Sequence, residues 1–121
     1  MQDALIIDDN RNTADALKQM LDVLGVSARV SYGSSPALVL LRKYVPAVVL
    51  LDINMPGVDG TEVLMYLKRE PRLAPVPVIV ITSDDQPETR QRVLKGGALA
   101  VLIKPTTIDS LEEALRKADM L

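Results

Sequence analysis

The chain contains no cysteine, histidine, tryptophan or phenylalanine. Without cysteine there is no disulfide, thiol nucleophile or thiolate metal centre, and without histidine there is no imidazole base and no zinc site of the usual nitrogen and sulfur donors. Any metal held here must be held by oxygen. Three tyrosines are the whole aromatic content, so the core must be aliphatic. No apolar run approaches the ~20 residues that span a bilayer. The opening residues Met1, Gln2, Asp3 and Ala4 lack the basic start of a signal peptide, and a soluble cytoplasmic protein without a membrane partner is expected. Neither sign of charge dominates: 14 basic and 16 acidic residues give a net charge of −2. They are interspersed, which leaves no electrostatic footprint for direct nucleic acid binding and points to a protein as partner.

What the chain does have is 121 residues, 48% of them hydrophobic, enough for one domain over residues 1–121. Short β-branched runs alternate with longer stretches of helical period, the pattern of five repeated βα units. The first helix is predicted to follow the cap Asn10, bury Ala14, Leu17, Leu21 and Leu24, and stop at Gly25. A second strand over residues 26–32 alternates Ala28, Val30 and Tyr32 with Arg29 and Ser31, so it reads as an edge strand with one wet face. Ser34, Ser35 and Pro36 open the second helix as cap and first-position proline. A third helix over residues 60–70 stops at Pro71, and three prolines make residues 71–77 a loop. Asp84, Asp85 and Pro87 start a fourth helix that Gly96 and Gly97 close. Thr106 and Thr107 precede the fifth, whose apolar stripe is Ile108, Leu111, Leu115 and Ala118. Right-handed crossovers with helices on both faces, and the weakest strand at an edge, predict an α/β fold: a doubly wound, five-stranded parallel sheet of order 2-1-3-4-5, a flavodoxin-like (βα)5 three-layer sandwich.

Four of the apolar runs end on a polar group. Ala4–Ile7 runs into Asp8 and Asp9, residues 47–51 into Asp52, residues 78–81 into Thr82 and Ser83, and Ala100–Ile103 into Lys104 and Pro105. Strands of a parallel sheet share one carboxyl edge, so these groups are expected to meet in one site. Taken singly, Asp8 and Asp9 could be turn residues, and Thr82 could satisfy a loop. Asp52 after four buried aliphatics is costly without a partner, and an ammonium at Lys104 seeks an anionic site. Three clustered carboxylates repel one another unless a hard divalent cation sits among them, and Mg²⁺ suits an all-oxygen set. Asp8 and Asp9 are expected to hold Mg²⁺, leaving a position for Asp52. Asp52 is expected to attack phosphorus and form an acyl phosphate, with Lys104 as the point-charge clamp and Thr82 as hydroxyl donor to a phosphoryl oxygen.

These residues resemble the receiver domain of bacterial two-component response regulators over residues 4–120. The acidic pair Asp8 and Asp9, the loop Asp52-Ile53-Asn54-Met55-Pro56-Gly57-Val58-Asp59-Gly60, the switch hydroxyl Thr82 with Ser83, and Lys104-Pro105 carry the resemblance. It implies Mg²⁺ as cofactor, the Asn54 backbone carbonyl as a metal ligand, and a sensor histidine kinase or histidine phosphotransfer protein as phosphoryl source. A downstream effector protein would read the change. It also implies that Asn54 and Asp84 tune dephosphorylation, and that the chain is no enzyme beyond catalysing its own phosphorylation and dephosphorylation. A monomer or weak dimer is expected.

Two positions depart from the family pattern. Val101 stands where receivers usually carry Tyr or Phe as a rotating switch, and Thr106 follows Pro105 where Phe is common. The usual aromatic readout is therefore absent, and a phosphorylation-independent receiver-like binding module is the alternative this raises. A phosphatase acting on free substrates through an aspartyl-phosphate fits worse: Asp8 and Asp9 are adjacent rather than spaced by one residue, and no cap insertion is present. Signalling is expected on the face formed by the fourth helix, the fifth strand and the fifth helix, with Arg90, Arg92 and Lys95 exposed.

Overall fold

The computed structural model describes residues 3–54 and 60–121; Met1, Gln2 and residues 55–59, on which part of the receiver resemblance rests, lie outside the described residues. Five strands, β1 (Ala4–Ile7), β2 (Ala28–Ser31), β3 (Val48–Leu51), β4 (Val78–Thr82) and β5 (Ala100–Ile103), alternate with five helices. The helices are α1 (Arg11–Val23), α2 (Ser34–Leu41), α3 (Gly60–Arg69), α4 (Pro87–Lys95) and α5 (Ile108–Lys117). All strands pair in parallel in the expected order β2-β1-β3-β4-β5.

The period of two along each strand divides the core between the two faces of the sheet. Leu5, Ile7, Val49, Leu51, Val78 and Val80 join residues of α2, α3 and α4 in one aliphatic cluster. Ala4, Ile6, Val48, Leu50, Ile79 and Ile81 join α1 and α5 in the other. Both faces of β1, β3 and β4 are covered, which is why their sequences read as unbroken apolar runs. Each Leu or Ile so buried contributes roughly 1.5–3 kcal/mol, and the tyrosines Tyr32, Tyr44 and Tyr66 pack only at the margins, partly buried.

Local chemistry explains most element ends. The Asn10 side chain accepts the Thr13 N–H at 3.0 Å and caps α1. Pro87 occupies the first turn of α4, and Gly96 caps its end. Thr107 and Ser110 form a reciprocal capping box on α5. Residues 71–77 form turns rather than strand or helix, as their prolines require.

Several expectations are corrected. Strand β2 is shorter than residues 26–32, and Val26 and Tyr32 lie outside it. Helix α2 is capped by Gly33 at φ +152°, so Ser34 and Ser35 lie within the helix and Pro36 sits at its third position rather than its first. The proline is tolerated there because the first four N–H groups of a helix have no intrahelical partner. Ile108 is 40% exposed; the buried stripe of α5 runs through Leu111, Ala114 and Leu115, with Ala118 partly buried. Leu24 caps α1 and is only partly buried. Strand β5, whose sequence is as apolar as β3, exposes 41% of Ile103 because it forms the second edge of the sheet.

Candidate functional site

Strands β1 and β3 lie side by side with Ile7 opposite Leu51, so the next residues, Asp8 and Asp52, emerge together at the carboxyl edge. This is where the chain direction of successive crossovers reverses, the crevice in which doubly wound sheets hold ligands. The backbone fastens the register there: Asp52 N–H donates to Ile7 O at 2.9 Å and Asp8 N–H to Ser31 O at 3.1 Å. Asp8 and Asp52 are 1% and 5% exposed, whereas Asp9 faces solvent. Each of the three offers a carboxylate oxygen, and those oxygens lie within 4.8 Å of one another.

Lys104 leaves the end of β5 and reaches across the neighbouring strand. Its Nζ donates to Asp8 Oδ2 at 3.1 Å and lies 3.5 Å from Asp52 Oδ2. A flexible four-carbon stem with a compact charge suits that span. The peptide between Lys104 and Pro105 is cis, and Lys104 N–H donates to Thr82 O at 2.8 Å. The remaining oxygens are held by backbone: Asn10 N–H donates to Asp8 Oδ1 at 2.9 Å, and Asn54 N–H to Asp52 Oδ1 at 3.0 Å.

One ammonium does not balance three carboxylates. Burial pushes the Asp52 carboxyl up to about 6 and Asp8 adds to the rise, against the opposing pull of the Asn54 N–H and Lys104. Such a site attracts a further cation, and its donor set of carboxylate oxygens fits Mg²⁺.

Thr82 ends β4 and is fully buried. Its Oγ1 accepts from Asn54 Nδ2 at 3.0 Å and from Asp84 N–H at 3.1 Å. The structure thus brings together Asp8, Asp9, Asp52 and Lys104 directly, and joins Thr82 to them through Asn54. Asp84 points its carboxylate toward α4: Oδ1 accepts Gln86 N–H at 3.0 Å, and Oδ2 accepts the Thr89 hydroxyl at 2.6 Å. The Thr89 hydroxyl holds the Asp84 carboxyl below the usual carboxylate range, with the Gln86 N–H adding to it.

Sequence reasoning missed two contributors. Thr89 carries no motif, since only its place in the first turn of α4, five residues after Asp84, brings them together. Gly60 stands at the start of α3 directly beneath Asp52, where an added Cβ would lie 2.5 Å from Asp52 O. In the sequence Gly60 is legible as the end of the motif that begins at Asp52 and as the start of the third helix, but its close approach to the Asp52 backbone has no signal there. Beside the acidic cluster, a groove of about 450 Å³ lined by Asn12, Thr13, Ala16, Met20 and Lys104 opens between α1 and the turn after β5. Val101 is 7% exposed and packed in the same cluster as Val93 of α4. Arg90, Arg92 and Lys95 are exposed, as expected.

Comparison with known proteins agrees with this geometry. Residues 4–116 match the model of the response regulator receiver domain. The transcriptional regulatory protein ZraR of Salmonella typhimurium is 35% identical over 96% of this chain, and the chain spans 26% of the length of ZraR. The polar-differentiation response regulator DivK of Brucella ovis is 28% identical, with 93% of this chain and 91% of DivK covered. Among solved structures, the signal receiver domain of the DNA binding response regulator protein merR from Colwellia psychrerythraea superposes with a TM-score of 0.91. Its sequence is 29% identical, and both chains are covered in full. Among the described residues, no helix is long and apolar enough to cross a membrane.

Proposed function

The chain belongs to the response regulator receiver domain family of two-component systems, and from that membership and its acidic rim we propose that Asp52 is the phosphoacceptor in a reaction dependent on Mg²⁺. The observation that carries the reading is the cluster itself: a buried Asp52 within reach of Asp8, Asp9 and the Lys104 ammonium. Buried carboxylates gathered in a crevice and perturbed by one another are the arrangement functional sites use.

Asp52 would attack a phosphohistidine in line through a carboxylate oxygen. The new P–O bond forms as the donor's P–N bond breaks, and the electron pair leaves with the imidazole. The Asn54 N–H orients the carboxylate through its other oxygen. Lys104, between Asp8 and Asp52, would move onto the phosphoryl oxygens, and Thr82 would donate its hydroxyl proton to them. Asp8 and Asp9, with Asp52 and the Asn54 carbonyl, would hold Mg²⁺. When bound, the ion supplies positive charge against the carboxylates and the equatorial phosphoryl oxygens. A sensor histidine kinase or a histidine phosphotransfer protein is the expected donor, and the groove beside Lys104 leaves it an approach. Residues 1–121 are read as one receiver unit whose surface an effector protein senses, acting in the cytoplasm and catalysing nothing beyond its own modification.

A phosphodonor assay tests this. Incubation with phosphoramidate and Mg²⁺ should add one phosphoryl group, detected by intact mass, and Asp52→Asn should abolish the addition while leaving the circular dichroism spectrum unchanged. Persistent labelling of Asp52→Asn would move the acceptor elsewhere. The aliphatic Val101, sealed into the core, favours one other reading, a binding module indifferent to phosphorylation. Surface hydrogen exchange that does not respond to full labelling would select it.

A further inference from the structure

A polar path runs from the rim into α4. Thr82 Oγ1 accepts from Asn54 Nδ2 and from the backbone N–H of Asp84. The Asp84 carboxylate then accepts the Thr89 hydroxyl at 2.6 Å. Thr89 is the third residue of α4 and only 7% exposed, so this charge-assisted bond has a buried donor and a part-exposed acceptor. Arg90, the next residue, directs Nη1 to Val101 O at 3.5 Å, a long contact with the backbone of β5. The Val101 side chain offers no polar group and packs against the aliphatic core.

In this arrangement both lone pairs of the Thr82 hydroxyl are taken, and what it has left to give is its proton. A shift of the hydroxyl toward an anion at Asp52, with its proton as the donor, would draw Oγ1 away from the Asp84 N–H. The Asp84 backbone and carboxylate belong to one short turn, closed by the Gln86 N–H, so a change at one end is felt at the other. We infer that the Thr89–Asp84 hydrogen bond carries the displacement of Thr82 into α4, making Thr89 a positioning residue of the switch and supplying a route that needs no aromatic side chain at position 101. This rests on the phosphoacceptor reading above.

The test compares the full chain with Thr89→Val, which keeps the shape and removes the donor, Thr89→Ala, which removes it without adding bulk, and Thr89→Ser, which restores it. Each is loaded with Mg²⁺ and beryllofluoride as a phosphoryl mimic, and uptake is read by fluorine NMR. Amide exchange across residues 88–95 is then measured with and without the mimic. In the parent, loading should change α4 exchange by about fivefold or more, the lower range of a typical coupling between sites. Thr89→Val and Thr89→Ala should bind the mimic as the parent does yet lose that response, and Thr89→Ser should recover it. An undiminished α4 response in both Thr89→Val and Thr89→Ala overturns the inference, as does failure of those two variants alone to bind the mimic. No uptake by the parent itself would overturn the phosphoacceptor reading, a result distinct from either.

Discussion

An added Cβ on Gly60 would stand 2.3 Å from Ile53 Cα and 2.5 Å from Asp52 O. Both neighbours are backbone, so no side-chain rotation can relieve the contact. Gly60 N–H donates to Ile53 O at 3.2 Å, which fixes the first residue of α3 against the chain that carries the acceptor. Gly60→Ala is therefore expected to destabilise the fold by about 1–3 kcal/mol, as overpacking does, and to slow phosphoryl uptake by displacing Asp52. Urea denaturation and the phosphoramidate rate check the two effects; wild-type values for both would mean the backbone yields more easily than the geometry implies. Nothing in the residue type announced this role, because the sequence shows a glycine ending a loop and not what lies above it. Asp8, Asp52 and Lys104 were legible because each is a charged group placed after an apolar strand, where burial demands a partner.

Among the elements, the caps were the most legible features, since a cap acts over three or four residues of sequence. Asn10 illustrates the point: its side chain accepts Thr13 N–H at 3.0 Å, and its own N–H holds Asp8. Asn10→Ala should cost about 1 kcal/mol through loss of the cap. The backbone bond to Asp8 does not involve the side chain, so phosphoryl uptake should survive; a denaturation midpoint matching the parent would show that the cap contributes nothing. The start of α2 was misread for a related reason. Serines and a proline satisfy the rules for several cap positions at once, and Gly33, with its positive φ, decided among them. The wet face of β5 was hidden because being an edge strand is a property of the sheet, not of the sequence Ala-Val-Leu-Ile.

For the molecule as a whole, the acidic rim is a burden on stability that a ligand can relieve. Asp52 keeps its proton to about 6 in the folded protein, against an ordinary value of 3.8. Across that interval the native state binds more protons than the unfolded chain, so the contribution of this group is fully present below pH 4 and is lost as pH rises through 6. With a chelator present, Asp52→Asn should therefore gain stability relative to the parent as pH rises from about 4 to 7. Adding Mg²⁺ to the parent at pH 7 should raise its stability, by about 2.7 kcal/mol at one hundred times the dissociation constant. Chemical denaturation at several pH values, with and without Mg²⁺, measures both, and a pH-independent difference would contradict the burial of Asp52 as the cause.

The alternation of strands and helices, the largely aliphatic core, the oxygen-only character of the site and the identity of its charged residues were legible in the sequence. They follow from periodicity, from which residue types are missing, and from the cost of burying charge, all of which act along the chain. That Lys104 reaches past β4 and β3 to Asp8, that Gly60 must lack a side chain, and that Thr89 closes on Asp84 emerged only from the packing of the elements. Those facts depend on distances between elements, and adjacency across a packed sheet is set by how the layers meet rather than by any local run of residues.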